Sequence, residues 1–417
     1  MKIAVIGAGL AGVTAAYSLN KQGHEVTVVE RATAPAREAS FANGGMLTVG
    51  MCAPWNAPGV WRVLLKSLCR SDTALQLRLA ALPSLTSWGI TFLRNATPEG
   101  FLRNHRKNFR LARYSLEVMQ ALRRDTGIEY GQAARGSLSL FRSGQSLQRA
   151  VEHAGRLADA GLAFRVLSTA ETVRLEPALA PLASRLSGSI HYPDDEVGDA
   201  REFCVRLAAH ARDQGVKFLF STAVTRIEME GGQVAALSGA GTRIQADRYV
   251  VAAGAYSSLL LAMAGVKLPV RPAKGYSVTF DHLPGQPALE RPVIDNHLHA
   301  VIVPFKGALR AAGTAEFAGH DKTLRAARVR NLLALMQDIL PQGNWDAKRA
   351  KPWCGLRPSS PDGVAIVGPT PVANLWVLCG QGHLGWTLAA GSAQLLTDLI
   401  GGRPAGVAPA DYSLGRF

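Results

Sequence analysis

Apolar and polar positions along this chain fall into blocks that switch repeatedly between strand and helix periods. Residues 3–6 (Ile-Ala-Val-Ile) form a short apolar run rich in β-branched side chains, the pattern of a strand buried on both faces. Residues 13–19 continue with helical spacing, and residues 25–29 return to a β-rich run that ends on Glu30. Much later, residues 248–255 (Arg-Tyr-Val-Val-Ala-Ala-Gly-Ala) read as another apolar strand that fits the same parallel sheet. Between these lie an alternating strand at 136–142, a helix at 150–162, a further segment opening at 175–179, and a strand at 188–199 that enters an acidic turn. A helix at 200–214 stops at Gly215, strands follow at 217–220 and 223–229, and 234–237 with 242–245 make a hairpin. Residues 269–280 and 300–316 have the character of antiparallel strands, 324–340 of a helix, and 374–387 of a strand running through glycines into a final helix ending at Ile400.

Two stretches are less regular. Residues 61–101 are predicted largely helical, broken at Pro83 and Pro98. Trp61 and many leucines are interleaved there with Arg62, Lys66, Arg70, Arg78 and Arg94, which suits either an interfacial segment on an anionic membrane or a set of ordinary core helices. The second reading is preferred for most of the stretch. Residues 103–124 form a clearer amphipathic helix, with Phe109, Ala112, Leu116 and Met119 on one face and five basic residues crowding its first half.

The first thirty residues carry the chemistry. Gly7, Gly9 and Gly12, with Ala8, Leu10 and Ala11 between them, make G-x-G-x-x-G directly after a strand and at the start of a helix. In that context the first glycine allows the tight turn, the second lets a pyrophosphate approach the backbone, and the third lets helix and strand pack closely. The helix N-terminus offers N–H groups and partial positive charge to phosphates. Glu30 lies about 20 residues further on, where a carboxylate can accept hydrogen bonds from an adenosine ribose. The acid fits FAD and NAD alike and argues against NADP; the ordinary alternative is a structural βαβ unit with a glycine-rich turn.

Composition adds bounds. A chain of 417 residues predicts two domains, and 47% apolar residues suffice for their cores. No signal peptide is expected, because the first strand starts at residue 2. Residues 249–266 carry no charge, but their glycines and serines read as strand, turn and helix rather than a membrane span. Five scattered cysteines without C-x-x-C suggest a reducing compartment, no disulfide framework and no metal site. A net charge of +15 implies an anionic surface, partner or substrate.

Taken together with motifs further along, the chain resembles the D-amino-acid oxidase superfamily of FAD enzymes, and most of all its bacterial D-amino acid dehydrogenase branch. The matching pieces, in order, are the glycine fingerprint, residues 40–45 (Ser-Phe-Ala-Asn-Gly-Gly), 53–59 (Ala-Pro-Trp-Asn-Ala-Pro-Gly), 194–199 (Asp-Asp-Glu-Val-Gly-Asp), 252–254 (Ala-Ala-Gly), 274–277 (Lys-Gly-Tyr-Ser), 355–358 (Gly-Leu-Arg-Pro), 361–363 (Pro-Asp-Gly) and 384–387 (Leu-Gly-Trp-Thr). The resemblance implies an α/β fold: a discontinuous Rossmann-like FAD domain, of the glutathione-reductase type, from residues 1–85, 187–255 and 350–417. A second α+β domain with an antiparallel sheet, from 86–186 and 256–349, would bind substrate. It further implies non-covalent FAD, with Glu30 and Arg31 at the adenosine, Val224 at the adenine through its backbone, and Ala253 and Gly254 also among the cofactor-binding residues. Ser40, Asn43, Gly44, Gly45 and Met46 would flank the flavin, and Gly382, His383, Leu384, Gly385, Trp386 and Thr387 would bring a helix N-terminus near it.

Arg357 would hold a substrate carboxylate, a role that a guanidinium fork suits on its own chemistry. Tyr276 and His383 join it as candidates, Tyr276 being equally a core residue, whereas Arg310 is expected to be structural. The chain departs from the pattern at His383, which sits two positions later than the histidine of many relatives, and at Met51, where a tyrosine is common. Cys354 lies close to where some relatives attach flavin covalently, but its spacing to Asp362 is off and no covalent bond is expected. The implied activity is oxidative deamination of a small D-amino acid to a 2-oxo acid and ammonia. A quinone or other electron carrier would accept the electrons, and the basic 50–115 region would dock peripherally on the cytoplasmic side of an inner membrane. Alternatives are an oxygen-using oxidase of glycine, sarcosine or D-proline, a tRNA-modifying flavoprotein, and a non-catalytic FAD-binding protein. Nucleic acid is not expected as a partner, because no basic groove interleaved with aromatic residues is apparent. Oligomeric state is left open.

Overall fold

The computed structural model describes residues 1–69, 75–239, 241–282, 285, 288–296, 300–305 and 307–417. Arg70 and Lys306, which fall in segments read above, lie outside the described residues, as do the side chains of Lys66 and Leu68. Two sheets dominate. The first has six strands in the order Ile366–Pro369, Leu375–Cys379, Arg248–Val251, Lys2–Ile6, Glu25–Val29 and Lys217–Leu219. All neighbours are parallel except the first pair. Strand Lys2–Ile6 sits in the middle, with Ile6 opposite Val29 on one side and Val251 on the other.

Alternate residues of these strands enter different cores. Ile3, Val5, Val26, Val28 and Val250 pack under helices Leu10–Lys21, Pro98–Thr126, Ala200–Asp213 and Gly385–Ile400. Ala4, Ile6, Tyr249 and Val251 face a small antiparallel sheet of Arg226–Glu230, Gln233–Gly239 and Thr242–Ile244. This burial on both faces is why the strands read as continuous apolar runs. The uncharged stretch after Arg248–Val251 turns into a short helix, Ser257–Ala262, and no described helix is long and apolar enough to cross a membrane.

The second sheet has nine strands: Lys351–Ser359, Arg271–Asp281, Ala308–Phe317, Ala300–Phe305, Val293–Asp295, Ser137–Phe141, Gly188–Tyr192 and Arg165–Leu167 in order, with Leu75–Leu77 added beside Ala308–Phe317. Helix Ala326–Ile339 covers its apolar face through Leu332, Leu335, Met336 and Ile339.

The two sheets do not respect the domain boundaries expected from the sequence. Strands Leu75–Leu77, Gly188–Tyr192 and Lys351–Ser359 fall in segments assigned to the dinucleotide domain, yet all three belong to the second, mostly antiparallel sheet, Leu75–Leu77 by a parallel pairing. Helix Pro98–Thr126, assigned to the substrate domain, buries Phe109, Leu111, Ala112, Met119 and Leu122 in the core of the first sheet. The reason is local: the periodicity of a strand, whether three residues long or nine, does not show which sheet will pair with it. Pro83 and Pro98 do not break helices but start them. Each occupies the first turn of its helix, Leu82–Arg94 or Pro98–Thr126, where the missing N–H has no partner to lose. Thr97 caps the latter by accepting a bond from the Gly100 amide (3.0 Å). The helix predicted at 150–162 is Gly144–Ala158 because Ser143 caps it earlier, its hydroxyl accepting from the Ser146 amide.

Candidate functional site

The glycine fingerprint is held by contacts no side chain could survive. Gly7 leaves the strand at φ +108°, and a Cβ there would lie 2.7 Å from the Ala252 carbonyl oxygen. A Cβ on Gly12 would lie 1.8 Å from the Gly7 carbonyl oxygen, so helix and strand approach each other only because it is glycine. Gly9 differs: only the Ser40 hydroxyl, at 3.3 Å, would meet its Cβ, and the backbone there faces the cavity. Ser40 accepts a bond from the Leu10 amide at the helix start (3.1 Å). Glu30 accepts from the amides of Ala8 (2.7 Å) and Ala32 (2.8 Å), which fixes its carboxylate beside the turn. Arg31 pairs with Glu38 and lies 3.9 Å over the Tyr256 ring.

One cavity of about 1440 Å³ runs from this turn to the antiparallel sheet. It is lined by Glu30, Arg31, Val224, Ala253 and Gly254 at the fingerprint end, then by Ser40, Asn43, Gly44, Gly45 and Met46, then by residues 382–387 and Arg357. Of the candidate cofactor residues only Ala8 and Gly12 do not line it; they act from behind. The residues fit FAD: an acid for a ribose, a glycine turn open to a pyrophosphate, and a long corridor beyond it walled by small residues.

The corridor is braced by groups that sequence reasoning did not select. The Asp195 carboxylate is fully buried and accepts from Thr48 Oγ1 (2.7 Å), Ser137 Oγ (2.7 Å), Val49 N (2.9 Å) and Gly50 N (3.1 Å). Burial pushes it up to about 6 against those four bonds. It thereby fastens the loop after Met46 to strand Ser137–Phe141. Thr387 accepts from the Thr48 amide (3.1 Å), joining the last helix to the same loop. Arg310 is structural, as expected: it donates to Thr279 Oγ1 (2.9 Å) and the Asn43 carbonyl (3.1 Å) and pairs with Asp199 (3.6 Å).

At the far end, Arg357 projects from strand Lys351–Ser359 and its guanidinium lies flat on Gly275, where a Cβ would come within 2.3 Å of Cζ. Nη1 donates to the Thr314 carbonyl (2.8 Å). Thr314 holds φ +57°, unusual for a β-branched residue, at a bulge where Lys274 pairs with Glu316 but Tyr276 pairs with Gly313. The bulge is what turns that carbonyl to the guanidinium. Among the described residues no carboxylate pairs with Arg357. Burial lowers its pKa to about 10, so it stays cationic at neutral pH. Trp55 lies under it, 5.7 Å from Cζ, and stacks on His383 at 5.0 Å and 13°. His383 is exposed along the cavity; the protein around it and the Arg357 charge hold its imidazole below the ordinary range, hence neutral. Trp55 lies in the 53–59 loop, where the prolines nearby are the one sequence signal that singles it out.

Tyr276 and Cys354 both serve the second sheet. Tyr276 reaches the cavity wall with its ring, but its hydroxyl donates to the fully buried Glu316 (2.6 Å), beside Lys274, and serves the sheet rather than a ligand. Cys354 donates to the Lys322 carbonyl (3.0 Å), belongs to the second core and does not line the cavity, and burial raises its thiol pKa further. That geometry agrees with non-covalent cofactor binding.

A family model described as FAD dependent oxidoreductase matches residues 2–399. Among solved structures, glycine oxidase from Geobacillus kaustophilus aligns with a TM-score of 0.77 at 24% identity, covering 100% of this chain and 98% of that one. L-proline dehydrogenase from P. horikoshii gives 0.76 at 20% identity, with 97% and 94% covered. Iminodiacetate oxidase from Chelativorans sp. BNC1 gives 0.73 at 24%, with 99% and 98% covered. At these identities the likeness establishes a shared fold.

Proposed function

The chain belongs to the family of FAD dependent oxidoreductases, and from that premise we propose that it dehydrogenates a small D-amino acid to the 2-oxo acid and ammonia. The observation that carries the reading is Arg357: a guanidinium in the cavity wall, cationic, half-buried and without a carboxylate partner among the described residues. A substrate carboxylate completes that site with a bidentate pair. FAD, when bound, supplies the acceptor for the hydride that leaves the carbon bearing the amine. Gly9 to Ala11 and Glu30 would hold its pyrophosphate and ribose, and residues 40–46 and 382–387 the rest.

The chain's own residues then position the substrate. Arg357 anchors the carboxylate, the Thr314 carbonyl and Gly275 fix the guanidinium, and the Trp55–His383 stack forms a flat neutral wall beside it. Orientation of this kind supplies most of the rate enhancement such a reaction needs. The substrate loses two electrons and two protons to become an imine, which water converts to the 2-oxo acid and ammonia.

The D configuration rests on the run of motifs from residue 40 to residue 387, and the choice of a quinone as acceptor on the same resemblance. The relatives named glycine oxidase and iminodiacetate oxidase support a second reading, an oxidase that uses oxygen on a small amine. Turnover of paired D- and L-amino acids, glycine and sarcosine, with 2-oxo acid and peroxide measured together, tests both. Oxo acid from D-amino acids only with an added quinone or dye supports the first reading. Stoichiometric peroxide in air selects the second, and no product from any of them overturns both.

A further inference from the structure

The second sheet holds a buried cluster of charges that touches neither end of the cavity directly. Glu316 and Lys274 lie opposite each other on strands Ala308–Phe317 and Arg271–Asp281, and neither has any exposed side-chain surface. The Glu316 carboxylate accepts from Tyr276 Oη (2.6 Å) and Arg78 Nε (2.5 Å), and it pairs with Arg325 (3.2 Å) and Lys274 (3.5 Å). Lys274 also donates to Asp321 (3.1 Å) and to the Thr323 carbonyl (3.3 Å). Taking charges out of water costs about as much as their attraction returns, so a buried ion cluster is weak evidence for stability. Its better-attested use is to select one register over its neighbours.

A register is at stake here. Leu309 and Ala311 face the core under helix Ala326–Ile339, two positions apart as a strand requires. Unbroken alternation would bring Gly313 and Ala315 to that face and turn Glu316 to the opposite one. Instead Tyr276 pairs with Gly313 and Lys274 with Glu316, so three steps on one strand match two on the other. The extra residue moves Glu316 onto the face where Tyr276 belongs to the same core. It is also the bulge that gives Thr314 its φ of +57° and directs the Thr314 carbonyl to Arg357 Nη1 (2.8 Å). Gly275, on which the Arg357 guanidinium lies, sits between Lys274 and Tyr276. Glu316 therefore ties together both strands that hold Arg357. Arg78 extends the tie past the bulge: it follows the edge strand Leu75–Leu77, which pairs with Ala315–Phe317, and its amide donates to the Phe317 carbonyl (3.1 Å). A slip by one residue would carry the Glu316 carboxylate away from its cations and the Thr314 carbonyl away from Arg357.

We infer that Glu316 is a positioning residue for substrate binding: held by Tyr276, Lys274 and Arg78, it locks the bulge at Thr314 and so directs the Arg357 guanidinium at a carboxylate. The inference rests on the carboxylate reading of Arg357 given above. The probes are propionate, which is alanine without its amine, and propionamide, its neutral isostere. Each is titrated into oxidised holoenzyme while the flavin absorbance is followed. The parent binds propionate, and binds propionamide more weakly. Glu316→Gln keeps the volume but not the charge. It raises the propionate dissociation constant about tenfold, while propionamide affinity and the flavin-to-protein ratio stay at parent values. Tyr276→Phe keeps the ring in the cavity wall, removes one bond to Glu316 and shifts propionate the same way by less. It carries the test if Glu316→Gln does not fold. Propionate affinity equal to the parent's in both variants overturns the inference. So does equal weakening of propionate and propionamide, the mark of a general structural role. If the parent itself binds propionate no better than propionamide, the carboxylate reading of Arg357 falls, and this inference falls with it.

Discussion

A buried or half-buried arginine without a carboxylate partner is an unusual residue to keep, since charged groups inside proteins are normally paired. Arg357 stays cationic at neutral pH although burial lowers its pKa, is held in place by its Thr314 and Gly275 contacts and is left with donors to spare. Arg357→Met is therefore predicted to lower kcat/KM by about 100-fold, the size expected when a charge-assisted pair of about 3 kcal/mol is lost. FAD content is unchanged, because Arg357 lies at the far end of the cavity from the glycine turn. Arg357→Lys restores charge but not the fork and recovers only part of the loss. At position 314 the backbone, not the side chain, does the positioning. Thr314→Gly, which adopts φ +57° freely, keeps KM near the parent value. Thr314→Pro, with φ held near about −65°, turns the carbonyl away and raises KM; equal KM for the two variants would show that the bulge does not position Arg357.

At the scale of elements, the strand–turn–helix unit depends on Gly12 and the cavity loop on Asp195. Gly12→Ala is predicted to yield protein without bound flavin, measured as the ratio of flavin to protein absorbance. Gly23→Ala, at a positive φ (+82°) but with nothing near its Cβ, keeps flavin and loses about 1–2 kcal/mol of stability. Asp195 gives a pH signature. Its folded pKa, about 6, is above its ordinary 3.8, so between these values the folded state binds more protons than the unfolded. Its contribution to stability is therefore fully present below the lower value and is lost as pH rises to about 6. The Tm of the parent minus that of Asp195→Asn should fall from pH 4 to pH 6 and level off above; a difference that rises with pH would contradict the assignment.

These elements also show what sequence makes legible. The fingerprint was readable because strand, turn, helix and acid lie within thirty residues and each follows a local rule. The strand Arg248–Val251 was readable because it is buried on both faces, which leaves an unbroken apolar run. The site beyond was not. Trp55, Thr314, Arg357 and His383 meet only through tertiary structure, and the bulge puts its positive φ on Thr314 rather than on the neighbouring Gly313. Asp195 sits in an acidic turn that looks solvated and is fully buried. Prolines 83 and 98 were misplaced because a proline ending one helix and a proline starting the next leave the same mark in sequence.

For the whole molecule, two sheets back a single cavity: the parallel one supplies the dinucleotide turn, the antiparallel one supplies Arg357, and short apolar helices frame the mouth. The division of labour implies that cofactor affinity and substrate selectivity respond to different substitutions, with Gly12→Ala acting on the first and Arg357→Met on the second. The most direct measurement is anaerobic bleaching of the flavin absorbance in purified holoenzyme by matched pairs of amines with and without a carboxylate, such as D-alanine and ethylamine. Bleaching by the amino acid alone, weakened in Arg357→Met, is the predicted result. Equal bleaching by the decarboxylated amine, or an amino-acid response that Arg357→Met leaves intact, would contradict a carboxylate-anchored amine oxidation at this site.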